Sequence, residues 1–154
     1  MKKIKLFVDS SVNPQAKVGF GAFLEVFDDL KKNIKIKRFD DTSSTKLELQ
    51  SLLWALDEIE ILTDTKIEVY TDCQNIVGLQ NRKEKLEAND YKSSNGKTIN
   101  NYELYKLFFE KIEKLDIDFI KIKGHKKNSL KDGLDTIFNL VDKASRSALR
   151  KNFI

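Results

Sequence analysis

Three runs of alternating apolar and polar residues fill the first 39 positions before any helical period begins, and that order narrows the fold more than any other feature. Lys3-Ile4-Lys5-Leu6-Phe7-Val8 reads as a strand that ends at the polar turn Asp9-Ser10-Ser11. Gly19 to Phe27 reads as a second strand and, after a turn at Asp28-Asp29, Asn33 to Phe39 as a third. A long buried helix is predicted over Thr45 to Leu62, where Leu49, Leu52, Leu53, Leu56 and Ile59 recur at helical spacing behind Ser and Thr caps. Lys66 to Thr71 forms a fourth strand that also closes on an aspartate, Asp72. Asn81 to Lys97 is polar and charged and is expected as an exposed insertion containing a short helix or loop and offering little to a core. A helix over Asn101 to Leu115, a strand over Ile117 to Ile122, a loop over 124–132 and a closing helix over Leu134 to Arg150 complete the order. Strands first, then helices and strands in alternation, imply an α/β protein with a mixed sheet covered by helices.

Size and composition fit one domain, 1–154, which buries enough surface to fold without crosslinks. A single cysteine, Cys73, and a single histidine, His125, exclude an internal disulfide and a Cys/His zinc site. A reducing, cytoplasmic location is expected. The apolar run behind Met1-Lys2-Lys3 is broken by Lys5 and Asp9, so neither a signal peptide nor a membrane span can be drawn. The net charge of +4 suits a polyanionic partner without demanding one.

Four acidic residues stand at places where chemistry is expected. Asp9 and Asp72 end strands, and in open α/β sheets ligands gather outside the carboxyl ends of parallel strands. Glu48 lies in the first turn of the long helix and Asp142 in the last helix. Each has an ordinary alternative. The two aspartates suit turns, Thr45-x-x-Glu48 matches a capping box, and Asp142 shares its helix face with Asp135 two turns earlier.

The wording around these positions is Leu6-Phe7-Val8-Asp9, Thr45-Lys46-Leu47-Glu48-Leu49, Val69-Tyr70-Thr71-Asp72-Cys73-Gln74, Lys123-Gly124-His125 and Val141-Asp142-Lys143-Ala144. In that order, and with Gly19-Phe20-Gly21-Ala22-Phe23-Leu24 in the second strand, the chain resembles the type 1 ribonuclease H family nearly end to end. The resemblance implies a ribonuclease H-like fold, a five-stranded mixed sheet with strand two antiparallel. It implies an endonuclease that hydrolyses the RNA strand of RNA/DNA hybrids and leaves 5′-phosphate and 3′-hydroxyl ends. Asp9, Glu48, Asp72 and Asp142 would hold two Mg²⁺ ions, or Mn²⁺ in their place, with Asp9 between them and His125 assisting proton transfer or product departure. Such chemistry suits carboxylates, because Mg²⁺ takes oxygen ligands and a pair roughly 3.5–4 Å apart serves both the attacking and the leaving oxygen. Clustered carboxylates repel one another, so at least one pKa is expected to rise.

By the same resemblance Ser10, Gln74 and Glu48 lie beside the RNA strand, while Ser43, Ser44 and Thr45 face the DNA strand, although Ser and Thr before a helix also serve as N-caps. Lys123, Lys126 and Lys127 flank the site, and Arg82 to Lys97 sits where relatives carry a basic handle, here diluted by Glu84, Glu87 and Asp90. The sequence departs from the family wording at Ser10, where glycine is common, at Cys73, where serine is common, and in a longer stretch between His125 and Asp142. That last departure leaves Asp135 as an alternative fourth ligand, though Val141-Asp142-Lys143-Ala144 fits the family wording better. Two other readings remain open: a silent nucleic-acid-binding domain of the same fold, and a metal-dependent nuclease of the same superfamily acting on DNA. A monomer is the expected state.

Overall fold

The computed structural model describes residues 2–123 and 133–153. Strand β1 (Lys2–Asn13) is the centre of the sheet. It pairs antiparallel with β2 (Val18–Phe27) and parallel with β5 (Thr65–Thr71), and β5 pairs parallel with β6 (Asp116–Lys121). The outer edge of β2 is taken by two pieces, β3 (Leu30–Lys31) and β4 (Lys35–Asp40). The strand predicted over 33–39 is therefore the second part of an interrupted edge, which makes the sheet six-stranded by count and keeps strand two antiparallel.

Alternation along β1 divides the core. Ile4, Leu6 and Val8 face helix α1 (Ser44–Glu58) and helix α4 (Tyr102–Glu113), where Leu49, Leu52, Leu56, Phe108 and Ile112 close over them. Phe7 faces the other side with Leu24, Val26 and Tyr70, under Phe138 and Val141 of helix α5 (Gly133–Asn152). Central strands buried on both faces are the mark of a sheet sandwiched by helices.

Helix α1 lies unusually close to β2. A Cβ at Gly19 would come 2.4 Å from Leu47 and 2.9 Å from the Ser11 carbonyl oxygen, and one at Gly21 would come 2.4 Å from Ser51 Oγ. These glycines let the helix settle onto the sheet and so set the height of Glu48. The helix ends earlier than its apolar period predicts. At Ile59 the backbone turns extended and buries that side chain, while Leu62 is left 44% exposed.

The polar segment after α2 (Gln74–Leu79) contains the expected short helix, α3 (Lys83–Ala88), but contributes more to the core than its composition predicts. Tyr91 is buried, and Leu86 and Ile99 pack against the main core. Asp90 and Tyr91 both take left-handed backbone conformations, φ 52° and 54°, which folds the Tyr91 ring inward, and Lys106 of α4 lies over Tyr91 and Tyr102 at 5.1 and 5.3 Å. A few aromatic residues anchor a segment whose composition is otherwise that of a solvated loop.

Candidate active site

Parallel pairing brings the first two carboxylates together. Phe7 is the β1 partner of Tyr70 in β5, with the two rings stacked at 4.7 Å. The strand expected to end at Asp9 runs on to Asn13, because its second half stays paired with β2, so Asp9 lies inside β1 two residues past Phe7 while Asp72 directly follows the end of β5. Burial pushes the Asp9 carboxyl up to about 8, reinforced by the charge of Asp72 and by a hydrogen bond to Asp142, against a smaller opposing pull from the Ser10 backbone amide. The sequence-based expectation of one raised carboxylate pKa is met at Asp9.

Asp142 arrives from α5. Its Oδ2 accepts from Arg146 Nη2 at 2.8 Å, and Ser145 Oγ, hydrogen-bonded at 3.0 Å to the Asp142 carbonyl oxygen, sits 3.1 Å from Ser11 Oγ. This hydroxyl pair ties α5 to β1 two residues beyond Asp9. Asp135 is buried seven residues earlier on α5, about 10 Å along the axis, and the carboxylates acting on Asp9 are Asp72 and Asp142.

Glu48 meets the group through Asp72, whose charge raises its pKa behind the larger effect of burial. The Cys73 thiol donates to Glu48 Oε2 at 2.8 Å and pulls that pKa the other way. The capping-box alternative does not hold, because Ser43 is the N-cap, its hydroxyl accepting from the Lys46 amide at 3.4 Å. Thr45 is already inside the helix, and Glu48 is turned toward the sheet rather than back to the cap. Burial and the Glu48 contact push the Cys73 thiol up to about 12, so this buried side chain is a proton donor at neutral pH.

Electrostatic influence thus links the four carboxyl groups in a row, Glu48 to Asp72 to Asp9 to Asp142, supplied by α1, the residue after β5, β1 and α5. Among the described residues, no group of three or more His, Cys, Asp or Glu is placed so that together they could hold a metal ion. Gln74 opens α2 and is exposed beside Asp72, Ser10 continues β1, and Ser44 and Lys123 are also exposed. His125, Lys126 and Lys127 lie outside the described residues.

The structure also gathers residues that sequence reading missed. Ser43 and Thr45 line a polar groove of about 540 Å³ together with Ser93, Asn95, Lys97, Asn100 and Asn101. Nothing in the sequence joins positions 43 and 97. The only local signal was the run of small polar residues on each side, which reads equally well as turn and cap chemistry.

The sheet order β3-β2-β1-β5-β6, with Asp9 inside the central strand, Asp72 just past β5 and helices carrying Glu48 and Asp142 on its two faces, defines an α/β protein of ribonuclease H-like fold. Solved structures of similar fold include prototype foamy virus protease-reverse transcriptase, with a TM-score of 0.75 and 15% identity, covering 95% of this chain and 20% of that one. LC9-RNase H1, a type 1 RNase H with the type 2 active-site motif, matches at a TM-score of 0.72 and 16% identity, over 95% of this chain and 73% of that one. Residues 1–147 match the family model described as RNase H, and the chain belongs to that family. Curated relatives named Ribonuclease H include those of Clostridium botulinum, 27% identical over 90% of this chain and 95% of the relative, and Acetivibrio thermocellus, 29% identical over 99% and 98%. That of Caldicellulosiruptor saccharolyticus is 25% identical over 98% of this chain and 99% of its own length.

Proposed function

We propose that this chain hydrolyses the RNA strand of RNA/DNA hybrids with two divalent cations, Mg²⁺ or Mn²⁺, leaving 5′-phosphate and 3′-hydroxyl ends. The observation that carries the reading is the Asp9 carboxyl, pushed up to about 8 by burial and by Asp72 and Asp142. Negative charge confined in this way is relieved by a cation, and an all-carboxylate donor set fits a hard ion that takes oxygen ligands.

In this reading Asp9 would serve both ions, Glu48 and Asp72 would hold the one on the leaving-group side, and Asp142 would hold the one on the side of the attacking water. Bound cations supply a nucleophile at neutral pH and offset charge on the 3′-oxygen. The remaining work belongs to the chain. Arg146 orients Asp142 through its ion pair, and the Ser11–Ser145 contact keeps α5 in register with β1. Gln74 and Ser10 face the RNA strand beside the row, while the groove between Ser43, Thr45, Lys97 and Asn101 offers hydroxyl, amide and ammonium donors for a backbone phosphate of the DNA strand. Backbone recognition of this kind reads shape and 2′-hydroxyls, so sequence preference is weak. Lys123 adds attraction near the end of β6, and His125 assists proton transfer or product departure.

The test is incubation with end-labelled RNA/DNA hybrid, duplex DNA and duplex RNA, each with Mg²⁺ or with EDTA. Cutting confined to the RNA strand of the hybrid, abolished by EDTA, is the expected result. Absence of cutting on every duplex would leave a nucleic-acid-binding domain, and cutting of plain DNA would mark a nuclease of different substrate class.

A further inference from the structure

We infer that Cys73 is a positioning residue for Glu48. Its thiol donates to Glu48 Oε2 at 2.8 Å and holds that oxygen on the α2 side of the site.

Three observations converge on this assignment. The backbone of Cys73 is pinned from both sides, because its amide donates to Thr71 Oγ1 at 3.1 Å and its carbonyl accepts from the Val77 amide at 3.2 Å. The sulfur itself is faced by the backbone amides of Asn75 and Ile76 at the start of α2, which leaves the S–H pointing to Glu48. On the other side, α1 is clamped onto β2 through Gly19 and Gly21, so the backbone of Glu48 is fixed and only its flexible side chain remains to be placed.

A glutamate is costly to order and is here pushed by the charge of its neighbour Asp72. A buried donor at a set point offsets both tendencies. It holds one carboxylate oxygen at a fixed point, so the carboxylate is oriented before any ligand arrives. A hydrogen bond to a charged acceptor is strong enough to matter for affinity without being required for folding. The consequence for cation binding rests on the proposed role of Glu48 as a ligand. The positional claim itself rests on the contact alone.

Two measurements test it on the full chain. Because the sequence holds one cysteine, the infrared S–H stretching band reports Cys73 alone. It should lie at lower frequency in the native protein than in the denatured chain, and Glu48→Ala should return it to the free-thiol position. A native band already at the free-thiol position, or one unmoved by Glu48→Ala, would overturn the inference, and this reading does not depend on any Cys73 variant folding. The second measurement is calorimetric titration of Mn²⁺ into wild type, Cys73→Ala, Cys73→Ser and Glu48→Ala. Cys73→Ala should weaken binding about three- to tenfold. Cys73→Ser, which keeps a donor on a shorter bond, should recover most of that loss. Equal affinity in wild type and Cys73→Ala, or no recovery in a folded Cys73→Ser, would also overturn the positioning role. If Glu48→Ala binds Mn²⁺ as wild type does, the ligand reading of Glu48 fails instead, and the S–H band still decides whether Cys73 holds it.

Discussion

Asp9 carries a sharp conflict, since the fold buries its carboxyl beside two others of like charge. Its pKa, raised from 3.8 to about 8, means that the folded state holds a proton the unfolded chain gives up. The sign follows directly: stability is unaffected by this group below about pH 4 and is progressively lost as pH rises toward 8. Asp9→Asn removes that loss, so melting temperatures of the metal-free wild type and variant should coincide at pH 4 and separate toward pH 8 in favour of the variant. Mg²⁺ should raise the wild-type melting temperature at pH 8 far more than that of the variant. The same substitution should lower turnover by about 10³ or more, because it removes the carboxylate proposed to lie between the ions. A variant that gained no stability at high pH would contradict the burial argument, and one that retained turnover would refute the bridging role.

Among the elements, the closeness of α1 to β2 decides where Glu48 stands. Gly21→Ala would put a Cβ 2.4 Å from Ser51 Oγ and 3.3 Å from the Phe39 ring, so the helix must lift. Overpacking of this kind costs about 1–3 kcal/mol, which urea unfolding should show. Turnover should fall by more than that loss explains, since Glu48 rides on the displaced helix. The anchored segment between α2 and α4 invites a different test. Tyr91→Ala removes its main core contact and should cost about 2–4 kcal/mol, with amide exchange accelerated over residues 83–99 before the sheet is affected. Its anchoring was not legible in the sequence. One tyrosine among lysines and glutamates carries no period, and only the paired left-handed residues at 90 and 91 turn it inward.

At the scale of the whole molecule, a modest net charge of +4 means that attraction to a polyanion depends on where the cations stand rather than on their number. Lys97 lines the polar groove opposite Ser43, so Lys97→Ala should weaken binding of an uncut hybrid and reduce the slope of log K against log salt by about 1. Lys3→Ala, at the far end of β1 and paired with Glu68 at 3.7 Å, should leave that slope unchanged. Filter-binding or fluorescence anisotropy across a salt series measures both. An unchanged slope in Lys97→Ala would remove the groove from the substrate path.

Local pattern alone determined the order of the main strands and helices and the candidacy of Asp9 and Asp72. These depend on alternation and on where an apolar run stops, which neighbouring residues encode. The tertiary structure decided what depends on distances between remote segments. Asp142 and Asp135 are indistinguishable on a helical wheel, and only the packing of α5 against β1 brings the first of them to Asp9. Glu48 looks like a capping residue until α2 delivers the Cys73 thiol to it. The groove joining Ser43 to Lys97 exists because Tyr91, Ile99 and Tyr102 dock a polar segment against the core. Periodicity follows from bonds along the chain, whereas a site made of parts from several elements follows from how those elements pack.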